Sequence, residues 1–211
     1  MPEAYALPVE SDTRTRILEG TYACVARDGI ARTSLEDAAR EAGVSRATIY
    51  RYFPGGRDEL MGGVIVFETL RFFGRLADAV QHAPSIEELL VDGIVFAHRA
   101  VETHEVLQKV LETEPELVVP RLTIESANLV ALIAQFLLGR LEQRSLPVGV
   151  TPGEAADYVA RMVLSFIVSP GRWDLADPAQ VRELVDSELL AGLRPDPARH
   201  LSDADSGRML T

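Results

Sequence analysis

Arg46, Ala47, Thr48, Tyr50, Arg51 and Tyr52 crowd one short run of the sequence. Guanidinium, hydroxyl and phenol groups at this spacing suit phosphate oxygens and base edges, while Ala47 and the methyl of Thr48 suit thymine methyls. Catalytic chemistry finds no comparable cluster. The sequence holds no H-E-x-x-H, Walker loop or G-x-S-x-G. The residues three before His82, His98, His104 and His200 are Ala79, Val95, Val101 and Pro197, so the Glu-x-x-His pairs of a di-metal bundle are missing too. The chemistry to expect is recognition, with no enzyme activity, metal or cofactor.

Those side chains need a scaffold, and residues 33–60, TSLEDAAREAGVSRATIYRYFPGGRDEL, have the pattern of one. Leu35, Ala38, Ala39 and Ala42 recur at helical spacing. Ser34 or Thr33 can cap that helix, with Asp37 near its unpaired N–H groups. Gly43 suits a backbone that needs positive φ to end one helix and re-aim the chain. Ser45 stands where a second N-cap is wanted. The helix it opens, 46–52, is too short to stand alone and must lean on neighbours through Val44, Ile49 and Phe53. Helix, glycine turn and capped helix make the layout of a helix-turn-helix, which sets its second helix in the major groove. The same corner also occurs as a purely structural feature of all-α proteins.

The segment resembles the DNA-binding domain of the TetR family of bacterial transcriptional regulators. Thr33, Ala42-Gly43-Val44-Ser45, Ile49-Tyr50, Tyr52-Phe53, Arg57 and Leu60 carry the resemblance, which covers residues 12–60 in detail. Ala38 stands where the family usually has isoleucine, and Tyr52 where histidine is common. The Pro54-Gly55-Gly56 turn is one residue longer than the family pattern. The resemblance implies an all-α chain: an N-terminal three-helix helix-turn-helix domain, then a larger helical domain for ligand binding and dimerisation. Arg46 is then the candidate base reader, with Ala47 and Thr48 beside it. Thr33, Tyr50, Tyr52 and Arg57 are candidate phosphate contacts, and Ser34 and Ser45 complete the DNA-facing set.

Composition agrees with this organisation. A chain of 211 residues, 47% hydrophobic and 6% aromatic, suits one small and one larger helical domain. The expected division is a disordered tail over 1–11, the DNA-binding domain over 12–57, the helical domain over 58–193 and a second disordered tail over 194–211. Net charge is −11, yet residues 11–57 hold eight arginines against six carboxylates, a local +2. An acidic remainder helps orient the positive end toward DNA. Cys24 is the only cysteine, excludes an internal disulfide and reads as core. The N-terminus does not read as a signal peptide and no membrane span is evident, so a cytoplasmic protein is expected.

Helical periodicity extends along the chain. Residues 12–28 carry Ile17, Leu18, Tyr22 and Val25 on one side, with Asp12 able to cap the start and Gly29 to end it. A long helix over 57–82 follows the motif, and Gly62 and Gly63 near its start predict easy bending. Helices are predicted over 85–101, 104–113, 116–144, 152–168 and 178–193, punctuated by prolines.

Residues 122–141 are apolar nearly all round, as suits a buried helix. In a TetR-like protein this region holds the effector pocket. The candidates are Phe67, Phe73, His98, Glu125, Asn128, Leu129 and Phe136, a set that favours an apolar or acyl-type small molecule. Helices 154–168 and 178–193 offer Val159, Met162, Val163, Phe166, Val181, Leu184, Val185 and Leu189, either for a four-helix homodimer interface or for the monomer's own core. The function expected is a ligand-responsive repressor, bound as a dimer to a pseudo-palindromic operator and released by effector. An activator of the same fold, or a helical ligand carrier without DNA binding, is the alternative.

Overall fold

The computed structural model describes residues 11–194, with side chains described for 13–117 and 127–194. Helices alone make up its regular structure there: α1 (Ser11–Asp28), α2 (Leu35–Glu41), α3 (Arg46–Tyr52), α4 (Arg57–Val80), α5 (Ile86–Glu102), α6 (Glu105–Thr113), α7 (Pro115–Leu141), α8 (Pro152–Val168) and α9 (Pro178–Leu184). The side chains of Asp12 and Glu125, and most of the expected tails, lie outside the described residues. Ser11 already belongs to α1, and Arg194 donates to Asp186 at 3.1 Å.

The chain divides into two compact units, residues 1–77 with 101–124 and residues 78–100 with 125–211. The first unit is broader than the expected 12–57 domain, because α4 and α6 share its cores. In one, Ile17, Leu18, Leu35, Ala38, Ala39, Ala42, Ile49, Phe53, Leu60 and Val64 pack together. Ala38, where a larger side chain is usual, is fully buried among them. A second cluster joins Val25, Ile30 and Met61 to Val110 of α6. Cys24 is buried, as expected.

Gly63 has a different role from the predicted bend. A Cβ there would lie 3.0 Å from Phe53 Cε1 and 3.1 Å from Leu18 Cδ2, whereas a Cβ on Gly62 would meet open space. Gly63 therefore lets α4 approach α1 and the end of α3 closely, and α4 runs unbroken through both glycines.

In the second unit, α5 buries Ile86, Leu89, Leu90, Val91, Ile94 and Val95. Arg182 grips Glu88 through two bonds of 2.6 and 3.1 Å, and Arg144 pairs with Glu87. Burial pushes the Glu87 carboxyl up, but the Arg144 bond and its own backbone N–H bring it below the ordinary range. Thr151 and Glu154 form a capping box on α8. The helix predicted over 178–193 is interrupted. After α9 the chain makes a π turn over Val185–Leu189, with Leu190 N–H donating to Val185 O at 2.9 Å, and then a short 3-10 turn over Ala191–Leu193. The wider turn turns the adjacent Leu189 and Leu190 inward together, both fully buried.

Candidate nucleic-acid interface

Two serines define the motif. Ser34, not Thr33, is the N-cap of α2: its Oγ accepts from Asp37 N–H at 3.1 Å and donates to Asp37 Oδ2 at 2.5 Å. The Asp37 carboxylate also accepts from Ser34 N–H at 3.2 Å, completing a capping box. The Ser34 hydroxyl, followed by its N–H, holds the Asp37 carboxyl below its ordinary value. Gly43, at φ +64°, turns the chain after α2, and Val44 N–H returns to Ala39 O at 2.9 Å. Arg16 Nη2 donates to Ala42 O at 3.2 Å and satisfies an end carbonyl, a role the sequence did not reveal. Ser45 then caps α3, accepting from Thr48 N–H at 3.0 Å.

The short α3 is anchored by Ile49 and Phe53, both essentially inaccessible. Burying those two side chains gives on the order of 3–6 kcal/mol of transfer free energy, enough to hold a helix of two turns that would not form alone. Its opposite side carries Ser45, Arg46, Ala47, Tyr50 and Arg51 at the surface, with Thr48 half-buried beside Ser45. Tyr50 is 41% exposed. Arg46 Nη2 donates to Tyr50 Oη at 3.2 Å, and its Nη1 pairs with Glu36 of α2. The Tyr50 bond, then the Glu36 charge, raise the Arg46 pKa above its ordinary value. Tyr52 leans on the core, with Arg51 5.1 Å from its ring centroid.

Two candidate phosphate contacts are used internally. Thr33 is 1% exposed and its hydroxyl donates to Gly29 O at 2.7 Å. Arg57 Nε donates to Thr33 O at 2.9 Å, and its Nη2 donates to Ile30 O. Both belong to the brace behind the motif. A second charged residue acts on the same loop. Glu114, between α6 and α7, accepts from Ile30 N–H at 2.6 Å and Ala31 N–H at 3.0 Å. Lys109 of α6 donates to Ala26 O and Arg27 O at the end of α1. Glu114 reads from sequence as a solvated loop residue, because a pairing across 84 positions leaves no periodic signal.

The candidate effector residues divide between the units. Phe67 is partly buried and packs against the core of the first unit, with Arg71 5.5 Å from its ring centroid. Phe73 stacks edge-on with Phe72 at 5.3 Å. In the second unit His98, Leu129 and Phe136 are half-buried and Asn128 is exposed. Among the candidate dimer residues, Val159, Val181, Leu184, Val185 and Leu189 are buried within the monomer, where they close its core. Met162, Val163 and Phe166 are partly exposed. No described helix is long and apolar enough to cross a membrane.

Residues 17–63 match the family of bacterial regulatory proteins, tetR family. An uncharacterized HTH-type transcriptional regulator of Mycobacterium tuberculosis is 30% identical over 176 residues, covering 81% of this chain and 82% of the relative. Another from the same species is 31% identical over 107 residues, 49% of this chain, and the match spans about half (52%) of that relative's length. In fold, the chain is similar to the Rhodococcus erythropolis transcriptional repressor QsdR, with a TM-score of 0.61 and 22% identity over 89% of this chain and 98% of that one. The repressor AlkX of a Dietzia strain gives the same TM-score and identity over 90% and 98%.

Proposed function

This chain belongs to the TetR family of bacterial regulatory proteins, and on that premise we propose that it is a repressor: a homodimer that holds a pseudo-palindromic operator and leaves it when a small apolar or acyl-type effector binds. The family makes it a transcriptional regulator with a helix-turn-helix DNA-binding domain, and not an enzyme. One observation carries the DNA reading. The side of α3 opposite its buried Ile49 and Phe53 presents Ser45, Arg46, Ala47, Tyr50 and Arg51, a polar and cationic edge on an anchored helix.

Two recognition helices must reach major grooves about one helical turn, or a multiple of it, apart, which calls for a dimer. Tyr158, Met162 and Phe166 recur every four residues on α8 and keep exposed surface, and they are the face we assign to the partner copy. The apolar effector reading is supported by the half-buried Leu129 and Phe136 and by the similar fold of the repressor AlkX, which is implicated in biodegradation of n-alkanes. Binding can release the operator only by as much as the effector prefers the released state.

A gel shift against DNA flanking the coding region, at stated salt, tests the first step. Retardation of that DNA over random duplex, relieved by a fatty acid or alkane, is the expected result. Equal binding to both duplexes overturns it. Light scattering of the free chain, at twice the monomer mass, checks the dimer.

A further inference from the structure

Glu36 stands in the first turn of α2 and forms an ion pair with Arg46, the first residue of α3. Both side chains are 56% exposed, so the pair sits on the surface that α3 offers to DNA. Arg46 is held a second way. Its guanidinium carbon lies 5.5 Å from the Tyr50 ring centroid, with Nη2 donating to the phenol oxygen. A carboxylate on a DNA-facing surface repels phosphates wherever the protein lands. Its presence beside the leading arginine therefore calls for a reason.

We propose that Glu36 is a positioning and specificity-determining residue for DNA recognition: it holds Arg46 in a neutral pair that a base edge can share but a backbone phosphate must break. The geometry gives the distinction. Glu36 takes Nη1 and Tyr50 takes Nη2. A guanidinium has five N–H donors in a rigid fork, so three remain for a base: the Nε hydrogen and the second hydrogens of Nη1 and Nη2. A guanine reached by exchanging the Tyr50 contact leaves the Glu36 pair in place and gains a bidentate contact. A swing out to a phosphate exchanges one anion for another and leaves Glu36 unpaired near the backbone. Every duplex offers phosphates and only some offer the right base, so the pair weakens binding to all DNA more than binding to the operator. The neighbouring carboxylates show that acidity as such is not the point: Asp37 is engaged by Ser34 and Arg40, and Glu41 by Arg27, so those charges serve helix ends and α1.

This inference rests on α3 being the DNA-facing helix. The test uses the full chain as wild type, Glu36→Gln, Arg46→Ala and the double variant. Binding is followed by fluorescence anisotropy between about 50 and 200 mM salt. The probes are a duplex selected by the wild-type chain from a random-sequence pool and a random duplex of equal length. Glu36→Gln is expected to bind random duplex roughly three- to fivefold tighter, the ceiling for a surface ion pair. Its salt slope on that duplex should steepen by about one per chain, the signature of one added phosphate contact. The operator-to-random ratio should fall by the same three- to fivefold. In the Arg46→Ala background Glu36→Gln should leave the ratio unchanged, because the residue acts through Arg46. Equal tightening on both duplexes, with or without Arg46, makes Glu36 a general repulsive charge and overturns the proposal. So does no change in slope or ratio. A wild-type chain that selects no duplex overturns the reading of α3 and this inference with it, whereas a clear wild-type preference that Glu36→Gln leaves intact overturns this inference alone.

Discussion

Arg57 Nε donates to the carbonyl oxygen of Thr33 at 2.9 Å, joining the first residue of α4 to the residue that precedes the α2 cap. A terminal nitrogen of the same guanidinium reaches Ile30 O. The fork closes the loop between α1 and α2 from the side of α4, so the pose of the helix-turn-helix depends on a cation that faces the protein. Arg57→Ala removes a charged donor from two carbonyls in a partly buried loop. It should cost about 1–3 kcal/mol in urea unfolding. The salt slope of DNA binding should stay as in wild type, whereas loss of a phosphate contact would lower it by about 0.9. Arg57→Lys should not recover the stability, because an ammonium lacks the planar fork. A lowered slope at unchanged stability would return Arg57 to the DNA-contact set.

The motif was legible because its signals are local. Ser34, Gly43 and Ser45 act within four residues of their own positions, and Ile49 and Phe53 follow from helical spacing. The family residues Thr33 and Arg57 were legible as positions but not as roles. The longer Pro54-Gly55-Gly56 turn ends where α4 begins, and Arg57 points from there to Thr33 and Ile30. The apolar residues of α8 and α9 carry no mark that separates core from interface. Burial alone divides Val159 and Leu184 from Met162 and Phe166. Glu114 was illegible for the opposite reason: its partners are backbone N–H groups, which any residue supplies.

Gly62 and Gly63 are neighbours with opposite environments, so the same substitution should act with opposite sign. Gly62→Ala adds a methyl in open space and removes backbone freedom from the unfolded chain. It should stabilise by about 0.4–1 kcal/mol. Gly63→Ala drives a methyl to 3.0 Å from Phe53 and 3.1 Å from Leu18, both buried in the core, so one of them must shift. It should cost about 1–3 kcal/mol. Chemical denaturation of the two variants, compared at equal slope, checks both. If both stabilise alike, the close approach of α4 at Gly63 is wrong.

Acid should loosen α2 through Asp37. Its folded pKa is depressed, chiefly by the Ser34 hydroxyl and then by the Ser34 N–H. A depressed carboxylate contributes its stabilisation in full above the unfolded value, and the contribution is lost as pH falls through the lower folded value. The loss therefore falls below the ordinary aspartate range, well under neutral pH. Ser34→Ala removes the leading cause, so the Asp37 midpoint in a carboxyl NMR titration should move up toward the ordinary value. The lost N-cap hydroxyl should cost about 1 kcal/mol at neutral pH. A midpoint that stays put would show that Ser34 is not what holds Asp37 ionised.

Glu114 and Lys109 together fasten α6 to the end of α1, and they divide the work by charge. Lys109 Nζ takes the carbonyls of Ala26 and Arg27, where the helix end is negative. Glu114 takes the N–H groups of Ile30 and Ala31, in the same loop that Arg57 holds by the carbonyls of Ile30 and Thr33. With its donors on one partner and its acceptors on the other, that loop has little freedom to move alone. Glu114→Gln keeps one acceptor oxygen and loses the charge, while Glu114→Ala loses both. Stability should fall in that order, by about 1–2 kcal/mol for alanine. Hydrogen exchange at the Ile30 and Ala31 amides should quicken in the same order, with the Val110 and Ile49 amides, inside α6 and α3, following only the global change. Exchange at Ile30 and Ala31 that stays as slow as in wild type would mean another partner protects those amides, and the coupling of α6 to the DNA-binding motif would have to run through the apolar contacts of Val110 with Val25, Ile30 and Met61.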